Sequence, residues 1–343
     1  MDRTYNYDAN GNITYIDDAE AAGNEAFEGA GVYSYEQGTN LLADIWREVP
    51  VVYGYDENGN TISANNRTFV YDLSNRLILV QDDGVTIAEY VYNALNQRIK
   101  KILPTGTRIF HYDLSGHLIA ETDETGTTIA EYFYLWQQPL AMIRPAETLY
   151  YYHNDHLGTP QVLTDDSQAI VWKAVYAAFG EAEIQVEAVE NPFRFPGQYY
   201  DSETGLHYNW NRYYDPKTGR YLTPDPIGLE GGINLFTYVA NSPTTSMDPS
   251  GLSRIMTLRR LVSGGCLALY LRNIFWSVSY DIYTTCLSLK PGEERLLTIA
   301  YLASLPVYGS TGYSGAFFRV YKDCNGICHT SLYFGSAICK GEI

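Results

Sequence analysis

Residues 5–13, Tyr-Asn-Tyr-Asp-Ala-Asn-Gly-Asn-Ile, return at 53–60 as Tyr-Gly-Tyr-Asp-Glu-Asn-Gly-Asn, and this phrase decides the fold. Aromatics at i and i+2 place both rings on one face of a strand. The Asp-x-Asn-Gly that follows supplies a turn in which Gly takes positive φ. Looser copies follow at Tyr33-Ser-Tyr35, Phe69-Val-Tyr71-Asp72, Tyr90-Val-Tyr92-Asn93, Phe110-His-Tyr112-Asp113 and Tyr132-Phe-Tyr134. The second aromatics stand at 7, 35, 55, 71, 92, 112 and 134, a spacing near 20 that suits one hairpin per repeat. Seven such hairpins predict an antiparallel strip in which each repeat covers its neighbour's apolar face.

Of the 32 tyrosines, 24 precede Ser253. Their regular spacing assigns them to cross-strand packing ladders, with stacking on carbohydrate as the second reading. Residues 1–252 hold 14 Lys and Arg against 35 Asp and Glu, a net charge of −21, whereas residues 253–343 hold 9 against 5, a net +4. The acidic part repels nucleic acid and anionic lipid, which excludes nucleic acid as its partner. The basic residues of the tail are scattered and make no patch.

All five cysteines, Cys266, Cys286, Cys324, Cys328 and Cys339, lie in that tail. Cys324, Cys328 and His329 supply three nearby ligands, one short of a zinc site, so neither metal nor cofactor is expected; disulfides and buried thiols stay open. The Gly-rich stretch Tyr308–Gly315 reads as a loop without the Lys-Ser/Thr of a phosphate loop. Leu258 to about Leu289 reads as helix, and Phe317–Tyr321 and Thr330–Phe334 as strands. Arg272, Asn273 and Asp281 interrupt the apolar run, which suits a buried helix rather than a membrane span. No secretory leader is visible at Met1. His153, Asp155 and His156 flank a Gly-Thr-Pro turn and read as turn caps, and the acidic run Glu181–Glu190 as an exposed loop or strand edge.

Between Asn191 and Leu252 the phrase Asp-Pro occurs at Asp215, Asp225 and Asp248, the last two continuing as Asp-Pro-x-Gly-Leu. These are type I turn residues. A turn also holds a carboxylate at a fixed angle, and two carboxylates held close share one proton, so that one activates water while the other polarises a carbonyl. Asp225 and Asp248 are the candidates.

Arg212-Tyr-Tyr-Asp-Pro216, Gly219-Arg-Tyr-Leu222, Asp225-Pro-Ile-Gly-Leu229, Gly231-Gly-x-Asn-Leu235, Tyr238, Asn241-x-Pro243 and Asp248-Pro-Ser-Gly-Leu252 together resemble the core of the Rhs or YD-repeat family. That core closes on this phrase before a variable C-terminal domain. The resemblance covers residues 1–252 in some degree and none of 253–343. It implies a mainly β fold: an antiparallel YD-repeat hairpin strip over 1–148, an Rhs core over 149–252, and a small α+β effector-like domain over 253–343. It further implies an aspartyl-protease-like cut between Leu252 and Ser253, with Asp225 and Asp248 as the acid pair and Arg212 steadying the developing negative charge. A structural ion pair is the other reading of Arg212.

The family's purpose would make the chain part of a bacterial polymorphic toxin, secreted or at the cell surface, whose repeats form a shell around a tail of unknown activity. An immunity protein for the tail and a secretion apparatus are the implied partners. One lap around the 91-residue tail is about 130 Å, beyond the roughly 67 Å that seven hairpins span, so these repeats are not expected to enclose it unaided. A non-enzymatic surface module that binds carbohydrate, and an inactive remnant, are the alternatives.

Overall fold

The computed structural model describes residues 3–18, 29–135, 137–252, 255–256, 294–299, 305–307, 310–322 and 328–338, the last five segments as backbone. The chain divides into two compact units, Met1–Thr257 and Leu258–Ile343.

In the first unit, 18 antiparallel strands run from Arg3–Tyr7 to Ala182–Glu187, each paired with the next along the chain. Inward and outward residues alternate as the repeat requires. In the strand Val85–Tyr92, Ala88 and Tyr90 are buried while Glu89 and Val91 face out. The turns form as expected: Asp8 Oδ1 accepts the N–H of Asn10 at 2.9 Å and of Asn12 at 2.8 Å, and Gly11 has φ of 77°. Asn75 and Asn96 take the same left-handed position at φ 58° and 62°, which Asn tolerates better than other residues with a Cβ.

The second tyrosine of each repeat has a hydrogen-bonding role that aromatic packing alone does not require. Tyr35, Tyr55, Tyr71, Tyr92, Tyr112 and Tyr134 donate their hydroxyls to the carbonyls of Ile13, Leu42, Thr61, Leu77, Arg98 and Leu118, at 2.5 to 3.0 Å. Each acceptor is the first residue of the return strand of the preceding hairpin. A phenol therefore staples every repeat to the one before it. Burial pushes these phenols upward, Tyr35 to about 12. The rings that suggested sugar stacking are thus engaged inside the strip.

The strip is also longer than seven hairpins, because the strands Thr148–Asn154, Pro160–Asp165, Ile170–Tyr176 and Ala182–Glu187 extend the same sheet. The acidic run thus includes a strand, and the whole spans about 86 Å. What it curls around is its own residues 191–250. Four short antiparallel strands, Tyr199–Asp201, Leu206–Asn209, Arg212–Asp215 and Arg220–Tyr221, bury Tyr199, Tyr208 and Tyr213 in one apolar core with Phe69, Tyr90, Phe110, Tyr132 and Trp172 of the strip. The two ends of the strip come together, Arg3 Nη1 lying 2.7 Å from Glu181 Oε2 and the rings of Tyr5 and Phe179 5.0 Å apart.

A buried ion cluster pins the inner strands to the strip. Arg98 and Lys101 converge on Asp201, with Arg98 Nη2 at 3.0 Å and Lys101 Nζ at 2.8 Å. Five aromatic rings surround the Arg98 guanidinium. Burial alone would raise Asp201, but the two cations outweigh it and hold the carboxyl below its ordinary range.

In the second unit, the backbone forms antiparallel strands Glu294–Ile299, Leu305–Val307, Ser310–Lys322 and Cys328–Ile338. The two strands expected from the sequence lie within the longer pair. Most of the expected Gly-rich loop is strand from Ser310 onward, with Gly315 opposite Gly335. The expected helix from Leu258, and Cys266, Cys286, Cys324 and Cys339, lie outside the described residues. Among the described residues no helix is long and apolar enough to cross a membrane.

Candidate functional site

The three Asp-Pro phrases diverge in use. Asp215 Oδ1 accepts the Lys217 N–H at 2.9 Å. Asp225 closes the expected turn, its carbonyl taking the Gly228 N–H at 2.9 Å and its Oδ1 the Ile227 N–H at 3.1 Å. At Asp248 the carbonyl instead accepts from Asn209 Nδ2 at 2.9 Å, and Oδ1 takes the Leu252 N–H at 3.1 Å. Ser246–Met247 pairs antiparallel with Ile255–Met256, and residues 248–252 form the loop that leads from the first of these strands to the expected cut. Ser253 itself lies outside the described residues.

The turn between Leu206–Asn209 and Arg212–Asp215 grips that loop. Asn209 holds the Asp248 carbonyl; Asn211 donates to the Ser250 carbonyl from Nδ2 at 3.1 Å and from its backbone at 3.3 Å; Arg212 Nε donates to the Gly251 carbonyl at 2.5 Å. Gly251 is required here, with φ of 69° and a Cβ position only 2.4 Å from the Asn209 carbonyl oxygen.

Arg212 reaches further. Its Nη2 lies 2.9 Å from Asp225 Oδ2 and 3.4 Å from Asp248 Oδ2, Nη1 donates to the Leu235 carbonyl at 3.1 Å, and the guanidinium lies 3.6 Å from the Tyr221 ring centre. All three charged residues are buried. The two carboxylates therefore meet through a guanidinium rather than through a proton shared between them. The geometry contains the ion-pair reading of Arg212, which also holds the peptide unit between Gly251 and Leu252. Burial raises Asp225 above its ordinary range against the pull of Arg212, and the charge of Asp248 adds to the rise. A cavity of about 190 Å³, lined by Arg212, Asp225, Trp210, Tyr213, Asn58 and Asn60, gives room for water beside Arg212 and Asp225.

Asn209 and Asn211 were not singled out in the sequence because they follow no period, the Asn-Trp-Asn-Arg turn being their visible sign, and Tyr221 was read only as part of the Gly219–Leu222 phrase. The histidines near Gly158 do not converge: His153 Nε2 lies 2.9 Å from Thr164 Oγ1, His156 Nε2 lies 3.0 Å from the Thr244 carbonyl oxygen, and Asp155 caps its own turn. Among the described residues no three His, Cys, Asp or Glu side chains gather in a way that could hold a metal.

A family model for the teneurin YD-shell matches residues 1–243. The chain is 32% identical over 286 residues to the double-stranded DNA deaminase toxin A of Burkholderia cenocepacia (strain H111), covering 72% of this chain and 19% of that protein. It is 42% identical over 114 residues to the probable deoxyribonuclease RhsA of Dickeya dadantii (strain 3937), covering 32% of this chain and 8% of that protein. The fold is similar to that of the Photorhabdus luminescens Tc holotoxin pore, with a TM-score of 0.58, 21% identity, and coverage of 75% of this chain and 13% of that one. The chain thus spans about a fifth or less of the length of these relatives. With its hairpin repeats, its closing phrase and this match over most of its length, the chain belongs to the teneurin YD-shell family as an Rhs-type YD-repeat protein.

Proposed function

We propose that this chain is part of a delivered Rhs-type toxin, and that its core releases the segment after Leu252 by cutting between Leu252 and Ser253. The observation that carries this reading is the position of Arg212, whose guanidinium contacts Asp225, Asp248 and the Gly251 carbonyl at once. In the proposed reaction Asp248 accepts a proton from water as the water oxygen bonds to the Leu252 carbonyl carbon. Asp225, whose carboxyl burial raises above its ordinary range, supplies its own proton as the C–N bond breaks. The products are a carboxyl group on Leu252 and an amine on Ser253. Arg212 balances the negative charge that gathers between the carboxylates.

The toxin relatives support extracellular delivery and, for the released tail, a neutralising immunity protein and a secretion apparatus. The family division into repeats over 1–148, core over 149–252 and passenger over 253–343 belongs to the same proposal.

Expression of the full chain tests it on a denaturing gel with mass spectrometry of the bands. The expected result is two pieces ending and beginning at Leu252 and Ser253, and one intact chain for Asp225→Asn and for Asp248→Asn. A wild-type chain that stays whole at 38.7 kDa overturns the proposal.

A further inference from the structure

Tyr221 and Asn209 form a hydrogen-bond relay ending on one of the two carboxylates. Asn209 Nδ2 lies 2.8 Å from Tyr221 Oη and 2.9 Å from the Asp248 carbonyl oxygen, and Tyr221 Oη lies 2.8 Å from Asp248 Oδ2. The directions are fixed by chemistry. A backbone carbonyl only accepts, so the Asn209 atom facing it is the NH₂ nitrogen, which only donates. Tyr221 oxygen therefore accepts from Asn209, and its single hydrogen points at Asp248 Oδ2. Burial, and then the charge of Asp248, push the Tyr221 phenol well above its usual value, so it keeps that hydrogen.

Asn209 is fully buried, and its Oδ1 has no hydrogen-bond partner among the described residues. An orphaned buried acceptor is costly, and here it accompanies an amide nitrogen fixed between Tyr221 and Asp248. Asp225 has no such hydroxyl: its Oδ1 takes a backbone N–H and its Oδ2 faces Arg212. The relay is thus the feature that makes the two carboxylates unlike.

We infer that Tyr221, oriented by Asn209, is a positioning residue for the cut proposed above, fixing Asp248 as the base and leaving the proton to Asp225. The inference rests on that reading. A donor aimed at Oδ2 suits a carboxylate and opposes a proton on that oxygen, so Tyr221 sets the acidic limb of the cleavage profile.

The test uses the full chain, isolated in denaturant and refolded by dilution at pH values from about 4 to about 9, with cleavage rates read on denaturing gels and folding followed by intrinsic fluorescence. For Tyr221→Phe the acidic limb moves up by about one to two pH units, the loss expected for one hydrogen bond to a charged acceptor. Asn209→Ala removes the amide that orients the Tyr221 hydroxyl and moves the limb the same way. It carries the test should Tyr221→Phe fail to fold. Tyr151→Phe, whose hydroxyl meets Asp166 at the surface, leaves the limb in place. A Tyr221→Phe profile that superimposes on wild type, or falls equally at every pH, overturns the inference while self-cleavage stands. A wild-type chain that never cuts overturns both.

Discussion

Arg98 carries its charge into the centre of the core, where Asp201 and a cage of aromatic rings are its surroundings. Removing one partner of such a buried pair leaves an uncompensated charge, which costs more than the pair itself contributes. Asp201→Asn is therefore expected to lower stability by about 3–5 kcal/mol, read from urea unfolding. The pH dependence follows from the sign of the shift. Asp201 is depressed in the folded protein, so its contribution is present above the ordinary value of 3.8 and is lost as pH falls through the lower folded value. The wild type should lose stability in that acidic window more steeply than Asp201→Asn. Asp225 has the opposite sign: raised by burial, it favours the fold while protonated and loses that contribution as pH rises through its folded value.

One hairpin combines three local devices. Its Asp caps the turn, its second tyrosine staples the preceding hairpin, and the residue four after the Asp reaches sideways along the rim. Asn12 donates to Asn40 Oδ1, Asn60 to Asn75 Oδ1, and His117 meets Gln137 Oε1. Removing the Tyr112 hydroxyl leaves the Arg98 carbonyl without that donor, so Tyr112→Phe should cost about 0.5–1.5 kcal/mol. The hydroxyl of Tyr151 meets Asp166 at the surface, and Tyr151→Phe should stay within about 0.5 kcal/mol of wild type. Thermal unfolding of the two variants side by side checks the difference, and equal losses would remove the staple.

At the scale of the whole molecule, the strip of 18 strands packs its inner face against residues 191–250 of its own unit. Among the described residues, the seam proposed at Leu252 is crossed by the pairing of Ser246–Met247 with Ile255–Met256. A chain ending at Thr257 keeps that pairing and should fold alone, with a cooperative melting transition within a few degrees of the corresponding transition in the full chain. Aggregation of that shortened chain, or a broad non-cooperative melt, would show that the C-terminal unit is needed for the fold.

The hairpin was legible because its whole code fits within nine residues: an aromatic pair at i and i+2, a capping Asp, and a Gly or Asn free to take positive φ. The Asp-Pro phrases were legible as turns for the same reason, although at Asp248 the carbonyl turned to Asn209 instead. The length of the strip was not, since after residue 148 the aromatic pair before the turn is incomplete, as in Tyr152-His-Asn154-Asp155, although Tyr152, Leu163 and Trp172 pack into the same core. Nor was the grouping of Asn209, Arg212, Tyr221, Asp225 and Asp248 around the loop before Ser253, because hydrogen-bond directions among side chains distant along the chain leave no period in it. Local backbone chemistry is written residue by residue in the sequence; which carboxylate faces which donor is decided only when the inner strands pack inside the strip and bury them together.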